Sequence, residues 1–415
     1  MTNFNDTIEY TNNECKELTE CLCCGNTNLE LVLDLNKQPM ANSFIDNLQI
    51  DELLFPLKLN ICKSCSHLQL SHAVNPDLLF KNYLYVSGTS QTLKEYFKWF
   101  AEFTLQHNKQ SKTVLDIACN DGSQLDAYKD LGLTTYGVDP AENLHTLSSQ
   151  NHTVICDYLT TKHVEYFKDK HLDIITAQNV FAHNSYPLEF LQICKEIMHD
   201  DSLLYIQTSQ ADMVKNNEFD TIYHEHLSFF NANSMNELSK RAGLNLFDIV
   251  KTPIHGNSYV FVFSKTKQPK ESVAQMLKEE HDLGLQNLET YIKYAEKANE
   301  VVSTLKSTVG SYKEKGYVIA GYGAAAKGNT LLNFADLKLD FIIDDNPLKQ
   351  GLYSPGQNIP VVKIDVLYQI NKETNIVFIP LAWNFYSEIS NKIKSIRNEP
   401  GDLFIKYFPT IQVEH

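Results

Sequence analysis

Apolar residues along this chain change their spacing at identifiable points, and each change marks an element. Leu93, Phe97, Phe100 and Phe103 recur at near-helical spacing, which predicts a helix with one buried face. Val114, Leu115 and Ile117 then form a compact apolar run that stops at Asn120, Asp121 and Gly122, as a buried strand ending in a turn would. A helix is expected from about Ser123, followed by a short strand ending in Asp139, so residues 113–158 read as strand, turn, helix, strand. IITAQNVFAHN (174–184) and LLYIQTS (203–209) continue the series, and NANSMNELSKRAG (231–243) is a helix. A longer helical pattern carries Val273, Leu277, Leu285, Leu288, Ile292, Ala295, Val302, Leu305 and Val309, one long or twice-broken connector. Beyond it, YVIAGYGAAAKGNTLLNF, FIIDDNPLKQG and NIVFIPLAW alternate strand and helix again, which predicts a second α/β sheet.

The chain has 415 residues, enough for two or three domains. Hydrophobic residues at 43% and charged residues at 21% are ordinary for a globular protein and exclude disorder and collagen-like structure. The formal charge of −15 opposes phosphate-backbone binding, so no nucleic-acid partner is expected. Apolar runs are too short for a membrane span, and the polar, acidic N-terminus lacks the order of a signal peptide. The expected location is cytoplasmic. Nine cysteines in a reducing compartment are then ligands, core thiols or nucleophiles rather than a disulfide framework.

Four of those cysteines form two CxxC pairs, Cys21 with Cys24 and Cys62 with Cys65, separated by 37 residues. Each pair lets two thiolates approach one ion from a tight turn, and two turns complete a tetrahedral set. Gly25 follows the first pair, where a left-handed residue is useful. Cys23 is a possible substitute ligand with poorer spacing. With every position filled by protein, the expected Zn2+ is structural.

The turn after the first strand of the middle segment reads Ala118-Cys119-Asn120-Asp121-Gly122, which lacks the GxGxxG of a dinucleotide site. An acid at the carboxyl end of the second strand, Asp139, suits a ribose diol. The run Val114 to Gly122 resembles the first motif of class I S-adenosylmethionine (SAM) methyltransferases, close to (V/L)LD(I/V)GxxxG, with Ala118 in place of its first glycine. That resemblance implies a SAM site drawing on Asp116, Ala118, Asn120, Asp121, Gly122 and Asp139, on Asp157 near the adenine, and on Gln178, Asn179 and His183 in the loop after the fourth strand.

Tyr223, His224, Glu225 and His226 place a phenol, two imidazoles and a carboxylate in four residues, a composition suited to general acid–base work. Flanking Ile222, Leu227, Phe229 and Phe230 argue against a freely solvated loop. The motifs CxxC…FPLxxxxCxxCxHLQL, YxYxSGTS and YHEHLSFF, in this order around the cofactor motif, resemble bacterial sugar C-methyltransferases acting on nucleotide-linked 4-keto-deoxysugars. The resemblance spans nearly the whole chain. It implies His226 as the base, Tyr223 and Glu225 as residues that hold and activate the sugar, and a tyrosine, Tyr83 or Tyr85, reaching the same site. His183 and His224 are expected at the substrate, as is Asn257, which replaces a glycine of the family's HGGS. GYGAAAKGNTLLN and DDNPLKQG also match the family, which places a nucleotide diphosphate near Lys327 and Asn329.

The expected architecture is α/β throughout. A zinc-binding module (1–75) precedes a Rossmann-like class I methyltransferase domain (76–268) and a connector with a second Rossmann-like domain that binds substrate (269–415). The expected function is SAM-dependent C-methylation of a nucleotide-linked keto sugar by a monomer or small homo-oligomer. An O- or N-methyltransferase, or a non-catalytic binding protein, are the alternatives.

Overall fold

A computed structural model describes residues 11, 13–49, 51–80, 87–89 and 91–415. Tyr83 and Tyr85 lie outside the described residues. The N-terminal part is an antiparallel sheet of Leu29–Gln38, Phe55–Cys62 and Leu68–Leu70. A left-handed residue closes each cysteine turn: Gly25 with φ 74° after Cys24, and Ser66 with φ 59° after Cys65. The fourth strand of this sheet comes from far along the chain, where Ser228–Phe229 pairs with Leu68 and Gln69.

The middle sheet has seven strands, numbered here in chain order: β1 Thr113–Ile117, β2 Thr134–Val138, β3 Thr153–Ile155, β4 Leu172–Gln178, β5 Met198–Thr208, β6 Asn245–Thr252 and β7 Ser258–Ser264. Their spatial order is β6-β7-β5-β4-β1-β2-β3, with β7 antiparallel to both of its neighbours. The order reverses between β1 and β4, and at such a switch point the carboxyl ends of the strands open a crevice for ligand. One face is covered by helices Gln91–His107 and Ser123–Asp130, through Leu93, Phe97, Phe100 and Tyr128. The other is covered by Pro187–Ile197 and Ala232–Ala242, through Phe190, Leu191, Met235 and Leu238. Burial on both faces explains why Val114, Leu115 and Ile117 of β1 and Leu203–Ile206 of β5 are apolar without alternation.

The connector is two helices, Glu271–Asp282 and Leu288–Glu314, broken at Gly284 with φ 70°. Its buried stripe keeps Val273, Leu305 and Val309 as expected but differs between them: Tyr291, Tyr294, Ala298 and Val301 face inward, whereas Ile292 is 41% exposed. The two tyrosines bury more apolar area than Ile292 and Ala295, and they set the helix rotation.

The last sheet runs Val361–Val362, Phe341–Ile343, Val318–Tyr322, Ile376–Pro380, Leu403–Lys406 and Gln412–Glu414, parallel except for its final strand. Leu33, Leu57, Leu59 and Leu70 of the N-terminal sheet share one apolar cluster with Tyr294 and Leu305 of the connector and with Leu331 and Ile342 of the last domain. The first and last parts of the chain therefore pack on each other around the connector. No helix among the described residues is long and apolar enough to cross a membrane.

Candidate functional site

The cysteine cluster closes as its spacing predicts. Cys21 and Cys65 sulfurs lie 3.6 Å apart, those of Cys24 and Cys62 lie 3.5 Å apart, and all four ligand atoms fall within 4.8 Å of one another. A tetrahedron of thiolates about 2.3 Å from Zn2+ has edges of about 3.8 Å, so the donor set fits this ion. Cys23 turns away and donates its S–H to the Ser234 carbonyl at 3.0 Å, which removes it as an alternative ligand. The cluster is tied to the segment that follows the YHEH motif: Asn233 Nδ2 donates to the Cys65 carbonyl at 2.9 Å and Asn231 Nδ2 to the Ser66 carbonyl at 3.1 Å.

At the carboxyl end of β1 the chain enters a turn in which Ala118, Asn120 and Gly122 all have positive φ, at 60°, 52° and 87°. Ala118 thus occupies a left-handed position where glycine would carry no steric cost. Asp139 organises this turn. Its carboxylate accepts the Asn120 and Ala141 amides, both at 2.8 Å, and burial raises its pKa. A carboxylate has about four acceptor positions, so two remain for a ribose diol and the site fits the cofactor that the motif implies. Gln178 points its Oε1 into this end of the sheet, buried and without a partner, and Asn179 follows in the left-handed region. Asp157 sits on the next strand end, its amide bonded to the Asp139 carbonyl, while Lys162 holds its carboxylate pKa down. Ser87 and Gly88 fold over the turn, donating amides to Asn120 Oδ1 at 3.0 Å and Asp121 Oδ2 at 2.8 Å.

Asp116 stands apart from these residues. It is buried beneath the turn, bonded to Thr176 Oγ1 at 2.6 Å, and its pKa is pushed up to about 7 by desolvation. The motif's acid is placed to hold β1 to β4.

His226 lies where three parts of the chain meet. Its Nδ1 is 2.8 Å from the Thr221 carbonyl, which can only accept, so Nδ1 carries the proton. The bare Nε2 then accepts from the Tyr223 hydroxyl at 2.8 Å. Both assignments follow from the hydrogen-bond partners. His183 packs edge-on against His226 with ring centroids 5.0 Å apart. Its pKa is lowered to about 4 by burial, and its Nδ1 is buried without a partner. The next residue, Leu227, bridges the parts: its amide bonds the Ala182 carbonyl in the loop after β4, and its carbonyl accepts from Leu70 of the N-terminal sheet.

The structure brings Tyr223, Glu225, His226 and His183 together, but not His224. That ring is buried against Phe55, with Nε2 3.2 Å from the Phe55 carbonyl, and its pKa is lowered to about 4 by desolvation. Asn257, expected at the substrate, has φ 123° and spends its amide on Asp212 Oδ2 at 3.0 Å. Lys327 and Asn329 lie at the seam between domains. Lys327 Nζ is 5.0 Å from the Trp383 ring centroid and acts electrostatically on buried Glu218 and Asp220. Asn329 Nδ2 donates to the Ala41 carbonyl at 2.7 Å.

Two residues the sequence reading did not single out complete the cluster. Asn42 Nδ2 donates to Glu225 Oε1 at 2.6 Å. Lys349 donates to the Ala324 carbonyl at 2.6 Å and lies 5.0 Å from the Phe44 ring centroid. Burial lowers its pKa, opposed by Asp344 and Glu225. Asn42 had no local signal; Lys349 was visible only as part of DDNPLKQG.

Comparison with known proteins divides the chain in the same order. Residues 21–80 match a family described as "Putative zinc binding domain", 89–249 one described as "Methyltransferase domain", and 253–409 one described as "C-methyltransferase C-terminal domain". The C-methyltransferase NovU of Streptomyces niveus is 28% identical over 414 residues, covering 96% of this chain and 97% of that protein. The ubiquinone biosynthesis O-methyltransferase of Glaesserella parasuis is 34% identical over 108 residues, 23% of this chain and 45% of that enzyme. Among solved structures, a SAM-dependent methyltransferase from Clostridium acetobutylicum aligns with 44% of this chain and 94% of its own, at 11% identity and a TM-score of 0.34.

Proposed function

This chain is a methyltransferase that joins a zinc-binding domain to a C-methyltransferase C-terminal domain, and from that premise we propose that it transfers a methyl group from SAM to a carbon beside the ketone of a nucleotide-linked keto-deoxysugar. The observation that carries this reading is the Tyr223–His226 pair, with Nδ1 anchored on the Thr221 carbonyl and Nε2 left as a base.

A carbon acid of this kind needs a base held within reach of its proton and a donor for the oxygen that becomes an enolate. His226 takes the proton at Nε2. The positive charge that forms on the imidazole is stabilised by the Thr221 carbonyl, which keeps hold of Nδ1–H. Tyr223, released from Nε2, turns its hydroxyl to the ketone oxygen. Glu225 binds sugar hydroxyls with an orientation fixed by Asn42. SAM, when bound, would supply an electrophilic methyl group for the enolate carbon. Asp139 positions the cofactor by its ribose, and Asn120, Asp121 and Asn179 wall its crevice.

The experiment is mass spectrometry of product formed from SAM and a panel of nucleotide 4-keto-deoxysugars in deuterated water. Carbon-bound methyl, with S-adenosylhomocysteine as co-product, is the expected result. His226→Gln should abolish both methyl transfer and deuterium uptake while cofactor binding persists. Methyl found on oxygen, as the local likeness to the O-methyltransferase would have it, overturns the reading, and so does full activity of His226→Gln.

A further inference from the structure

The turn that anchors His226 is itself anchored on the last domain. Phe219–Thr221 is a single 3-10 turn of fully buried residues, and the Thr221 carbonyl at its end is bonded to His226 Nδ1 at 2.8 Å. Asp220 Oδ2 accepts from Trp383 Nε1 at 2.8 Å, and the Tyr407 hydroxyl lies 3.3 Å from the same oxygen. These partners stand 163 and 187 positions further along the chain, just after the strands Ile376–Pro380 and Leu403–Lys406. Phe219 packs edge-on against Phe334 and Phe408, with ring centroids 5.8 and 5.3 Å away. The two side chains before Thr221 thus engage the last domain, while the carbonyl that follows them engages the proposed base.

A carboxyl at this place is costly. Desolvation pushes the Asp220 pKa up to about 6, opposed by Lys327, Trp383 and Tyr407, and Oδ1 is buried without a hydrogen-bond partner. Apolar side chains would fill such a seam at less cost. What the acid adds is direction: an indole N–H can only donate, so it fixes where Oδ2 lies and with it the orientation of the turn.

That orientation matters because two groups make opposite demands on His226 Nδ1. The Thr221 carbonyl only accepts and requires a proton there; the Gln210 amide nitrogen, as assigned 3.4 Å away, only donates and favours a bare Nδ1. A carbonyl held at 2.8 Å prevails. If it withdrew, the single proton of the neutral ring would move to Nε2, which could then take no proton from a substrate. We propose that Asp220 is a positioning residue: through its bond to Trp383, the last domain holds the Thr221 carbonyl on His226 and so sets the tautomer of the base. Its importance for catalysis rests on the reading of His226 as that base.

The test is nitrogen-15 NMR of the full-length, zinc-loaded protein labelled at histidine, with the His226 signals identified by their loss in His226→Gln. The native ring should be protonated at Nδ1 and bare at Nε2. Trp383→Phe keeps an aromatic ring at a half-buried position and removes the N–H. It should move the His226 proton toward Nε2 and lower kcat about tenfold, with SAM affinity unchanged. Asp220→Leu has no acceptor and should behave alike, whereas Asp220→Asn keeps one for the indole and should retain the native tautomer. Trp383→Phe decides alone if Asp220→Leu does not fold. An unmoved tautomer in these variants overturns the proposal whatever the rate does, since a loss of rate alone would show only a structural seam. A shift in Asp220→Asn equal to that in Asp220→Leu overturns it as well. A shifted tautomer with an unchanged rate would uphold the brace and overturn His226 as the base, so the two readings fail separately.

Discussion

Asn42 donates to Glu225 across 2.6 Å, although they stand 183 positions apart in the chain. The contact joins the N-terminal part, where metal is held, to the acidic member of the proposed active site. A hydrogen bond to a charged group contributes about 1.5–3 kcal/mol, so its loss should be visible. Asn42→Ala is expected to lower the methyl-transfer rate roughly tenfold or more while SAM affinity stays unchanged. Steady-state kinetics together with cofactor titration would check this; a rate within twofold of native would count against it.

Metal and activity should be lost together. The Cys65 and Ser66 carbonyls hold Asn233 and Asn231, and Ser228–Phe229 is a strand of the same sheet that carries Cys62. Cys62→Ala or a strong chelator should therefore abolish turnover, even though no ligand position is left for chemistry. Metal content and activity measured on the same samples would separate this outcome from a merely distant scaffold, for which activity would survive stripping.

Glu218 provides a pH prediction with a definite sign. Burial raises its pKa from 4.5 to about 7, against the opposing effect of Lys327. The folded state then holds the proton more tightly than the unfolded state, so this group's contribution to stability falls as pH rises from about 4.5 to about 7. Glu218→Gln should lack that penalty. Its stability relative to native should grow across the same window, by on the order of 1–3 kcal/mol. Urea unfolding at pH 4.5 and pH 7.5 would test it, and a constant difference between the two proteins would refute it.

Ala118 stands at φ 60°, a conformation that costs an L-residue about 1–2 kcal/mol. Glycine would relieve this while adding about 0.4–1 kcal/mol of unfolded-state entropy. Ala118→Gly should thus be neutral or stabilising by up to about 1 kcal/mol, the reverse of what the same change does in a helix. Denaturant melts would show it, and a clear loss of stability would mean that the turn is not left-handed at this residue.

The YHEH segment shows where sequence reasoning stops. In an extended strand His224 and His226 would share a face, being two residues apart. Here the His226 amide bonds back to the Tyr223 carbonyl in a turn, and the two rings diverge: His224 enters the N-terminal core and His226 the candidate site. Composition marked the segment as chemical but could not divide it. Lys327 and Asn329 show the same limit: the turn that carries them faces another domain, where Asn329 donates to the Ala41 carbonyl and Lys327 Nζ is buried without a hydrogen-bond partner.

The sequence by itself determined the zinc ligands, because four thiolates in two short turns leave an ion few alternatives. It also determined the first sheet strand, the turn that follows it and the position of Asp139 at the next strand end, since apolar runs and turn residues act over neighbouring positions. The tertiary structure decided the rest: which histidine pairs with Tyr223, that Asn42 meets Glu225, and which stripe of the connector is buried. Those outcomes depend on the packing of segments hundreds of residues apart, and local periodicity carries no record of a partner that distant.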